Sequence, residues 1–362
     1  MKEFDIPTST ITTIGYHSSN DIPSTGEGRL ACSCLSPISI HGNTDNNNST
    51  DTNNMIVSAG WDRMFHLWDV RQSGSSSSSS SSSSITKTNS NNNNNNNNGA
   101  ACSIQLPGKA FSMDVDPTSH HNRVVIATSG RKICIIDLRM MTSIDDDIDM
   151  DDTSNNNLNN NDNIMKNYEY KANMILERQS SLKYQSRVVR YLSSPTLAIG
   201  SIEGRVAIEF LHDEPKLQPS TPSTTTTLLE PYIGAKRYAF KCHRLGNLVH
   251  TVNAIVRHPI HGTFATGGSD GTVSVWDGMR KKRLSTLIGV TTANTTNTNT
   301  ANNDTITKFE TGISDLAFKN DGTEIAIAAS YAFEEGERDH PKDEIYIRKV
   351  LDSEVRPKAL SK

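Results

Sequence analysis

The sequence is poor in apolar and aromatic residues. Hydrophobic side chains make up 34% of its 362 residues and aromatic side chains 6%, against about 45–50% apolar residues in an ordinary globular domain. A chain packed into a core along its whole length is excluded, because too little apolar surface is present to offset the entropy of ordering. We expect ordered segments separated by segments that stay outside any core.

The sequence also lacks an excess of positive charge, a disulfide framework and a long apolar run. The 36 Lys and Arg against 40 Asp and Glu give a formal charge of −4, so nucleic-acid binding is not expected. The five cysteines include no Cys-x-x-Cys pair, which favours a reducing compartment. No apolar run approaches the ~18 residues of a membrane span, so no contact with a membrane is predicted.

Five stretches consist largely of Asn, Ser, Thr, Asp and Pro, and they are predicted to be disordered inserts. Each lies between segments that resemble one another, so the inserts are not expected to divide the chain into domains. The inserts are 42–54, 72–99, 143–165, 213–229 and 291–307.

A recurring pattern of two short strands joined by a turn is the main structural signal. The pattern reads MIVSAGWDRMFHLWD at 55–69, VVIATSGRKICIID at 124–137, LAIGSIEGRVAIEF at 197–210 and FATGGSDGTVSVWD at 264–277. A fifth copy occupies 313–330 and continues, after a charged loop, at 345–350. Apolar strands that flank an Asp- or Gly-containing turn indicate hairpins. Five such units predict an all-β fold, a β-propeller with five recognisable blades.

Two of the units carry the His, Asp and Trp of a WD40 blade. In such a blade these side chains can share a hydrogen-bonded network that fixes the strand register. The candidates are His243, Asp270 and Trp276, and in the first unit His17, Asp62 and Trp68. We interpret them as structural and not as catalytic residues.

No pattern of catalytic or metal-binding residues stands out. The phosphate-binding loop, His-Glu-x-x-His and Gly-x-Ser-x-Gly motifs are missing. Cys32 and Cys34, with His17, lack a second ligand pair, which favours ordinary β residues over a zinc site. The acidic run 145–152 lacks the glycine and the ligand spacing of a calcium loop. We therefore expect no enzymatic activity, no metal and no cofactor.

Longer matches point to one family. They are SSLKYQSRVVR at 180–190, GSIEGRVAIEF at 200–210, YAFKCHRL at 238–245, FATGGSDGTVSVWDGMRKKRL at 264–284 and ISDLAFKNDGTEIAIAASYAFEEGERDHPKDEIYIRKV at 313–350. In these segments the chain resembles the WD40 mitotic-checkpoint proteins of the budding-uninhibited-by-benzimidazole class. The nuclear-pore mRNA-export WD40 factors are similar in SIEGRVAI and FKCHR. The LKYQ, GGSDGTV, KKRL and HPKDEIYIR segments favour the checkpoint class.

The resemblance implies a propeller of seven blades, of which only five are recognisable. We therefore expect residues 1–358 to form one WD40 domain that is incomplete at its N-terminus. Either the sequence is an incomplete product, or a partner completes the ring.

The resemblance also implies a function. In this family one face of the propeller receives the GLEBS motif, an acidic segment of checkpoint kinases, and reads phosphothreonine in Met-Glu-Leu-Thr repeats of the kinetochore scaffold. It thus implies a non-enzymatic spindle assembly checkpoint adaptor that recruits kinases to kinetochores within the mitotic checkpoint complex. The expected location is the nucleus and kinetochore, with a cytoplasmic pool.

Basic residues suit both ligands, because arginine can hold a carboxylate or phosphate through two parallel hydrogen bonds. The predicted binding residues are Arg205, Arg244, Lys241, Lys183, Arg187 and Trp61. Alternatives stay open for several of them. Arg205 could pair with Glu203 or Glu209, Lys183 and Arg187 could be exposed strand charges, and Trp61 could pack between blades.

Two other functions fit the same sequence features. The first is an mRNA-export adaptor that binds a nucleoporin GLEBS segment and RNA, which salt-dependent RNA binding would identify. The second is a substrate receptor of a ubiquitin ligase, which recovery of ligase subunits would identify.

Overall fold

The structure is a computed structural model of the chain, and its regular elements are almost all β-strands. The residues that it describes are 2–5, 10–13, 32–40, 52–69, 100–117, 123–143, 168–211, 237–287, 309–333 and 335–358.

The strands form small antiparallel sheets in which neighbours in the sheet are neighbours along the chain. A hairpin comes first, with β1 (Lys2–Asp5) and β2 (Thr10–Thr13). Blade 1 contains β3 (Cys32–Ile40), β4 (Thr52–Gly60), β5 (Met64–Asp69) and β6 (Cys102–Gln105). Blade 2 contains β7 (Ala110–Val115), β8 (Arg123–Thr128), β9 (Lys132–Ser143) and β10 (Tyr168–Gln179).

The later part of the chain repeats this arrangement. Blade 3 contains β11 (Ser186–Ser193), β12 (Thr196–Ser201), β13 (Arg205–Phe210) and β14 (Tyr238–Lys241), and a small hairpin follows with β15 (Arg244–Leu245) and β16 (Leu248–Val249). Blade 4 contains β17 (Val252–Arg257), β18 (Phe264–Gly268), β19 (Val273–Asp277) and β20 (Lys282–Leu287). Blade 5 contains β21 (Ile313–Phe318), β22 (Glu324–Ala329) and β23 (Glu344–Lys349), before the short helix α1 (Asp352–Val355).

The blades pack in sequence order through their first strands. β3 contacts β7, β7 contacts β11, β11 contacts β17, and β17 contacts β21. Strands packed one blade against the next in this way form a propeller. The predicted WD40 β-propeller with five recognisable blades is confirmed.

Two predicted insert boundaries differ from the structure. Residues 52–54 belong to β4, where Thr52 pairs with Ile40 of β3. Ser143 belongs to β9, where it pairs with Tyr168 of β10. In both places backbone pairing extends a strand into polar sequence that has little apolar surface of its own. The remaining parts of the predicted inserts lie outside the described residues.

The core consists of apolar layers between successive blades. One layer joins blades 1 and 2, and separate layers join blades 2 and 3, blades 3 and 4, and blades 4 and 5. In β8, for example, Val124 and Ile126 pack toward blade 1, whereas Val125 and Ala127 pack toward blade 3. Because both faces of such a strand are buried, its sequence is a continuous apolar run without polar alternation.

The outer faces of blades 1 and 5 carry exposed aliphatic side chains. Leu35 in β3 is 56% exposed, and Ile345 and Ile347 in β23 are 75% and 65% exposed. The residues that match Leu35 by strand register in the other blades are buried: Met113, Val189, Ile255 and Leu316. Among the described residues, no apolar layer covers these two faces as it covers the faces between blades.

A buried histidine supports the loop between β17 and β18. The Nδ1 atom of His258 accepts hydrogen bonds from the backbone N–H groups of Ile260 and His261, at 3.3 and 3.2 Å. Its Nε2 atom lies 3.2 Å from the carbonyl oxygen of Gly322, to which it donates in the neutral ring. Burial lowers the pKa of His258, and the neighbouring His261 acts in the same direction. Asp352, which lies 2.7 Å from His261 Nε2, raises the pKa of His258 and so opposes this shift without cancelling it.

We expect His258 to make the fold less stable in mild acid. Its pKa is lower in the folded chain than the unfolded value of about 6.5, so the unfolded state takes up the proton first and stability falls as the pH drops below about 6.5. His258→Asn keeps an acceptor near the Nδ1 position but does not titrate. Urea unfolding at about pH 7.5 and about pH 5 should show a smaller loss of stability for this variant than for the parent chain. An equal loss in both proteins would contradict the assignment.

Candidate ligand-binding face

Loops from several blades meet at one end of the propeller. In an antiparallel sheet, successive turns alternate between the two ends, so the turn between the second and third strands and the connection to the next blade share one end. We call this end the upper face. It contains the turns 61–63, 129–131, 202–204 and 269–272, together with the connections 106–109, 180–185 and 242–251.

An exposed aromatic residue and a lysine form the part of the upper face that belongs to blades 1 and 2. Trp61, in the β4–β5 turn, is 45% exposed, and the Nζ atom of Lys109 lies 5.4 Å from the centre of its ring. The backbone N–H of Lys109 donates to the Ser129 hydroxyl at 3.0 Å. Trp61 therefore presents ring surface to solvent and is not enclosed between blades.

An arginine that the sequence analysis missed joins blade 2 to blade 3. Arg131 follows Gly130 in the β8–β9 turn and has a positive φ of 61°. Its Nη1 atom donates to the carbonyl oxygen of Lys183 at 2.7 Å, and its backbone N–H donates to Gln185 Oε1 at 3.3 Å. These bonds connect the turn to the 183–185 segment before β11. The exposed side chain of Lys183 in this segment has its Nζ atom 5.5 Å from the centre of the Tyr184 ring.

Three of the predicted cations lie at or next to the turn between β12 and β13. Arg205 and Lys241 are cross-strand partners in β13 and β14, and Arg205 Nε lies 3.5 Å from Glu203 Oε2. Arg244 Nη2 donates to the carbonyl oxygen of Glu203 at 2.7 Å. In the cation cluster Arg205, Lys241 and Arg244, Arg205 thus pairs with the Glu203 carboxylate, Arg244 binds the Glu203 backbone, and Lys241 lies beside Arg205.

A glycine allows this close approach. Gly204 has a positive φ of 63°, and a Cβ atom there would lie 2.7 Å from the carbonyl oxygen of Cys242 and 2.9 Å from that of His250. Any larger residue would push the β12–β13 turn away from the 242–250 connection. The turn needs glycine both for its backbone conformation and for space.

A buried network fixes the start of that connection in blade 4. His243 Nδ1 lies 2.9 Å from Asp270 Oδ1 and 3.1 Å from the Thr272 hydroxyl, while Nε2 lies 2.8 Å from the Thr266 hydroxyl. Trp276 Nε1 donates to the same Thr266 oxygen at 2.9 Å. The structure therefore brings the predicted His, Asp and Trp together, through a threonine that sequence analysis did not single out.

The network also determines the charge of its carboxylate. Burial raises the pKa of Asp270, but hydrogen bonds from His243 and Thr272 outweigh burial, and the net pKa lies below the ordinary value. Asp270 is therefore ionised near neutral pH and acts as the acceptor of the network.

In blade 1 the tryptophan has a different hydrogen-bond acceptor. Trp68 Nε1 donates to the Ser58 hydroxyl at 2.7 Å, and Asp62 Oδ2 lies 3.9 Å from His66 Nε2. His17 lies outside the described residues. The hydroxyl of Ser58 accepts the Trp hydrogen bond as Thr266 does in blade 4, because both residues lie on the second strand two positions after the residue that is paired with the Trp.

Arg187 lies apart from the cation cluster. It is exposed on β11, at a bulge between Ser186 and Val188. It adds positive charge at the start of β11, which follows the 180–185 connection of the upper face.

Within the part of the chain that the structure describes, no three His, Cys, Asp or Glu side chains group in a way that could hold a metal ion. Burial raises the pKa of the Cys134 and Cys242 thiols to about 12, so both are protonated and unreactive near neutral pH. None of the described helices has the length and apolarity needed to cross a membrane.

Known proteins resemble this chain in sequence. Residues 236–277 match the model of the WD40 family, described as WD domain, G-beta repeat. The mitotic checkpoint protein bub3 of Dictyostelium discoideum is 31% identical over 305 residues, which cover 83% of this chain and 65% of the relative. BUB3.1 of Arabidopsis thaliana, also a mitotic checkpoint protein, is 32% identical over 308 residues, with coverages of 84% and 64%.

An mRNA export factor is similar over the same extent. GLE2 of Chaetomium thermophilum is 28% identical over 313 residues, which cover 84% of this chain and 61% of the relative. The chain thus spans less than two thirds of the length of these relatives. The resemblance drawn from the sequence is confirmed: the chain contains a segment that matches the WD40 repeat, and it is similar, over most of its length, to mitotic checkpoint proteins and to mRNA export factors.

Proposed function

We propose that the chain is a non-enzymatic adaptor of the spindle assembly checkpoint. On its upper face it binds acidic GLEBS-type segments of checkpoint kinases and phosphorylated repeats of the kinetochore scaffold, and it brings the kinases to kinetochores. The observation that carries this proposal is the cation cluster around Glu203, in a chain whose net charge is −4. A local excess of positive charge on an acidic protein favours an anionic ligand at that place.

The donors of the cluster suit carboxylate and phosphate oxygens. A guanidinium group has five N–H donors, and Arg244 uses Nη2 and Nε for the backbone of Glu203 and Gly204. Among the described residues no hydrogen bond engages its Nη1 group. Arg205 pairs with Glu203 through its Nε atom. The Nη1 and Nη2 groups of Arg205, at the outer edge of the guanidinium, are not part of that pair.

The upper face also offers a path for an extended segment. From Trp61 the contacts run through Lys109 to Ser129 in the β8–β9 turn, and from Arg131 of the same turn to Lys183. They continue from the 180–185 connection to the turn that precedes Arg205, since the backbone N–H of Ile202 donates to the carbonyl oxygen of Gln185 at 3.1 Å. A peptide bound along this path contacts the ring of Trp61 at one end and the cation cluster at the other.

Charge reversal in the cluster tests the proposal. Arg205→Glu places a second carboxylate beside Glu203, so an acidic GLEBS peptide should bind at least about tenfold more weakly, a loss of about 1.4 kcal/mol. Isothermal titration calorimetry on folded protein measures this change. Lys282→Glu alters the net charge equally at an exposed position at the opposite end of blade 4 and should leave the affinity nearly unchanged. Equal affinities for the parent chain and Arg205→Glu would refute the assignment.

A second candidate function is supported by the similarity to GLE2. An mRNA-export adaptor would use the same face for a nucleoporin GLEBS segment and would in addition bind RNA. RNA affinity that falls steeply with salt would favour this function, because phosphate contacts release counterions. For the checkpoint function we expect a nuclear and kinetochore location with a cytoplasmic pool.

A further inference from the structure

A small cavity lies between blades 4 and 5 at the upper face, and its volume is about 280 Å³. One wall is the connection between the two blades, at Glu310 and Thr311. The other wall is the end of the β22–β23 loop together with the start of β23, at Glu344 and Tyr346. Ordinary small-molecule sites measure about 300 Å³ or more, so this cavity has room for a single side chain or a group of that size.

Both walls of the cavity are fixed to the blades. The backbone N–H of Phe309 donates to the carbonyl oxygen of Gly271 at 2.7 Å, and the backbone N–H of Ser330 donates to that of Gly312 at 2.9 Å. The rings of Phe309 and Tyr346, one from each wall, have their centres 5.0 Å apart. The cavity is therefore formed before a ligand binds, which lowers the entropic cost of binding.

The cavity has two carboxylates that form no ion pair within the described part of the chain. The Tyr346 hydroxyl donates to the Glu344 carboxylate. This hydrogen bond raises the pKa of Tyr346 to about 12, and burial and the negative charges of Glu344 and Glu310 act in the same direction. Both carboxylates are thus close enough to the phenol to oppose its ionisation.

These groups suit a guanidinium better than an anion. A guanidinium is planar, donates hydrogen bonds to carboxylates from its edges and packs its face against an aromatic ring. The lining also contains Lys342, which is exposed and which, among the described residues, pairs with neither carboxylate. Two negative charges against one positive charge leave the cavity with an excess that favours a cation.

We propose that this cavity binds an arginine side chain from an extended segment of a partner protein. Glu310 and Glu344 accept the hydrogen bonds of the guanidinium, and the Tyr346 ring packs against its face. The inference goes beyond the proposed function, because the cavity takes a cation between blades 4 and 5, whereas the cation cluster takes an anion at blade 3.

Two short peptides of glycine and serine test this inference. One contains a single arginine, and the other contains citrulline, its uncharged isostere, at the same position. Fluorescence anisotropy with an uncharged dye should show that the parent chain binds the arginine peptide about fivefold to tenfold more tightly. The double variant Glu310→Gln, Glu344→Gln should lose this preference. Lys342→Gln should increase it about twofold, because it removes a competing positive charge.

A matched control removes two carboxylates elsewhere in blade 5. Asp321 and Glu324 lie at the opposite end of the blade, where both contact Lys319. The double variant Asp321→Asn, Glu324→Gln changes the net charge equally and should keep the preference for arginine.

The outcomes separate this inference from the proposed function. Equal affinities of the parent chain for the arginine and citrulline peptides would overturn the inference, as would equal losses in the cavity variant and in the control variant. Free arginine that binds more tightly than the arginine peptide would overturn it in favour of a small-molecule site. A phosphothreonine peptide should bind the cavity variant Glu310→Gln, Glu344→Gln like the parent chain, so either proposal can fail while the other stands.

Discussion

His243→Ala is expected to lower the free energy of unfolding by about 3 kcal/mol. The side chain is almost fully buried and contacts Asp270, Thr266 and Thr272. Its removal takes the imidazole partner from an ionised carboxylate and from the buried Thr266 hydroxyl, which keep their bonds to Thr272 and Trp276. Urea unfolding followed by circular dichroism measures the loss.

A matched histidine shows whether the loss is specific to the network. His340 is exposed, and its Nδ1 atom lies 2.7 Å from the carbonyl oxygen of its neighbour Pro341. Among the described residues it forms no hydrogen bond to another blade. His340→Ala should change stability by less than about 0.5 kcal/mol. Similar losses for both variants would mean that the network does not fix the register of blade 4.

Arg244→Ala should weaken binding of a phosphothreonine peptide by about 30-fold or more, corresponding to at least 2 kcal/mol. The reason is that a partly buried guanidinium loses two parallel hydrogen bonds to a doubly charged phosphate. The unphosphorylated twin peptide loses less, because it lacks that charge. Calorimetry with both peptides gives the difference directly.

Two further variants make the result specific. Arg244→Lys keeps the charge but not the paired donors, so we expect an intermediate affinity. Arg280→Ala removes an arginine that is paired with Asp277 at 2.8 Å at the opposite end of blade 4, and it should bind like the parent chain. If Arg244→Ala affects the phosphorylated and unphosphorylated peptides equally, the phosphate does not contact this residue.

The hairpins were predictable because their signals are local. Apolar runs such as VVIAT at 124–128 and turns such as Glu203-Gly204 and Asp270-Gly271 carry their own strand and turn preferences. The pairing of His243 with Asp270 was predictable for a similar reason, since the WD40 pattern gives residue types in a fixed order. The strand ends at Thr52 and Ser143 were not predictable, because pairing with a neighbouring strand determines them.

The side chains of the upper face are brought together by contacts between residues that are far apart in sequence. Lys241 pairs with Arg205 across 36 positions that include a predicted insert, so no local pattern indicates the pair. Arg131 reaches Lys183 in the next blade, and a Gly-Arg turn alone does not indicate this contact. The sequence did not indicate a role for Thr266, because threonine is common in β-strands simply owing to its β-branched side chain.

The most direct test of the account is a calorimetric titration of the parent chain with a phosphothreonine peptide and with its unphosphorylated twin, at low and at high salt. If the upper face holds anions through its cations, the phosphorylated peptide binds more tightly and its advantage decreases as salt screens the charges. Equal affinities for the two peptides, or an advantage that salt leaves unchanged, would contradict the account.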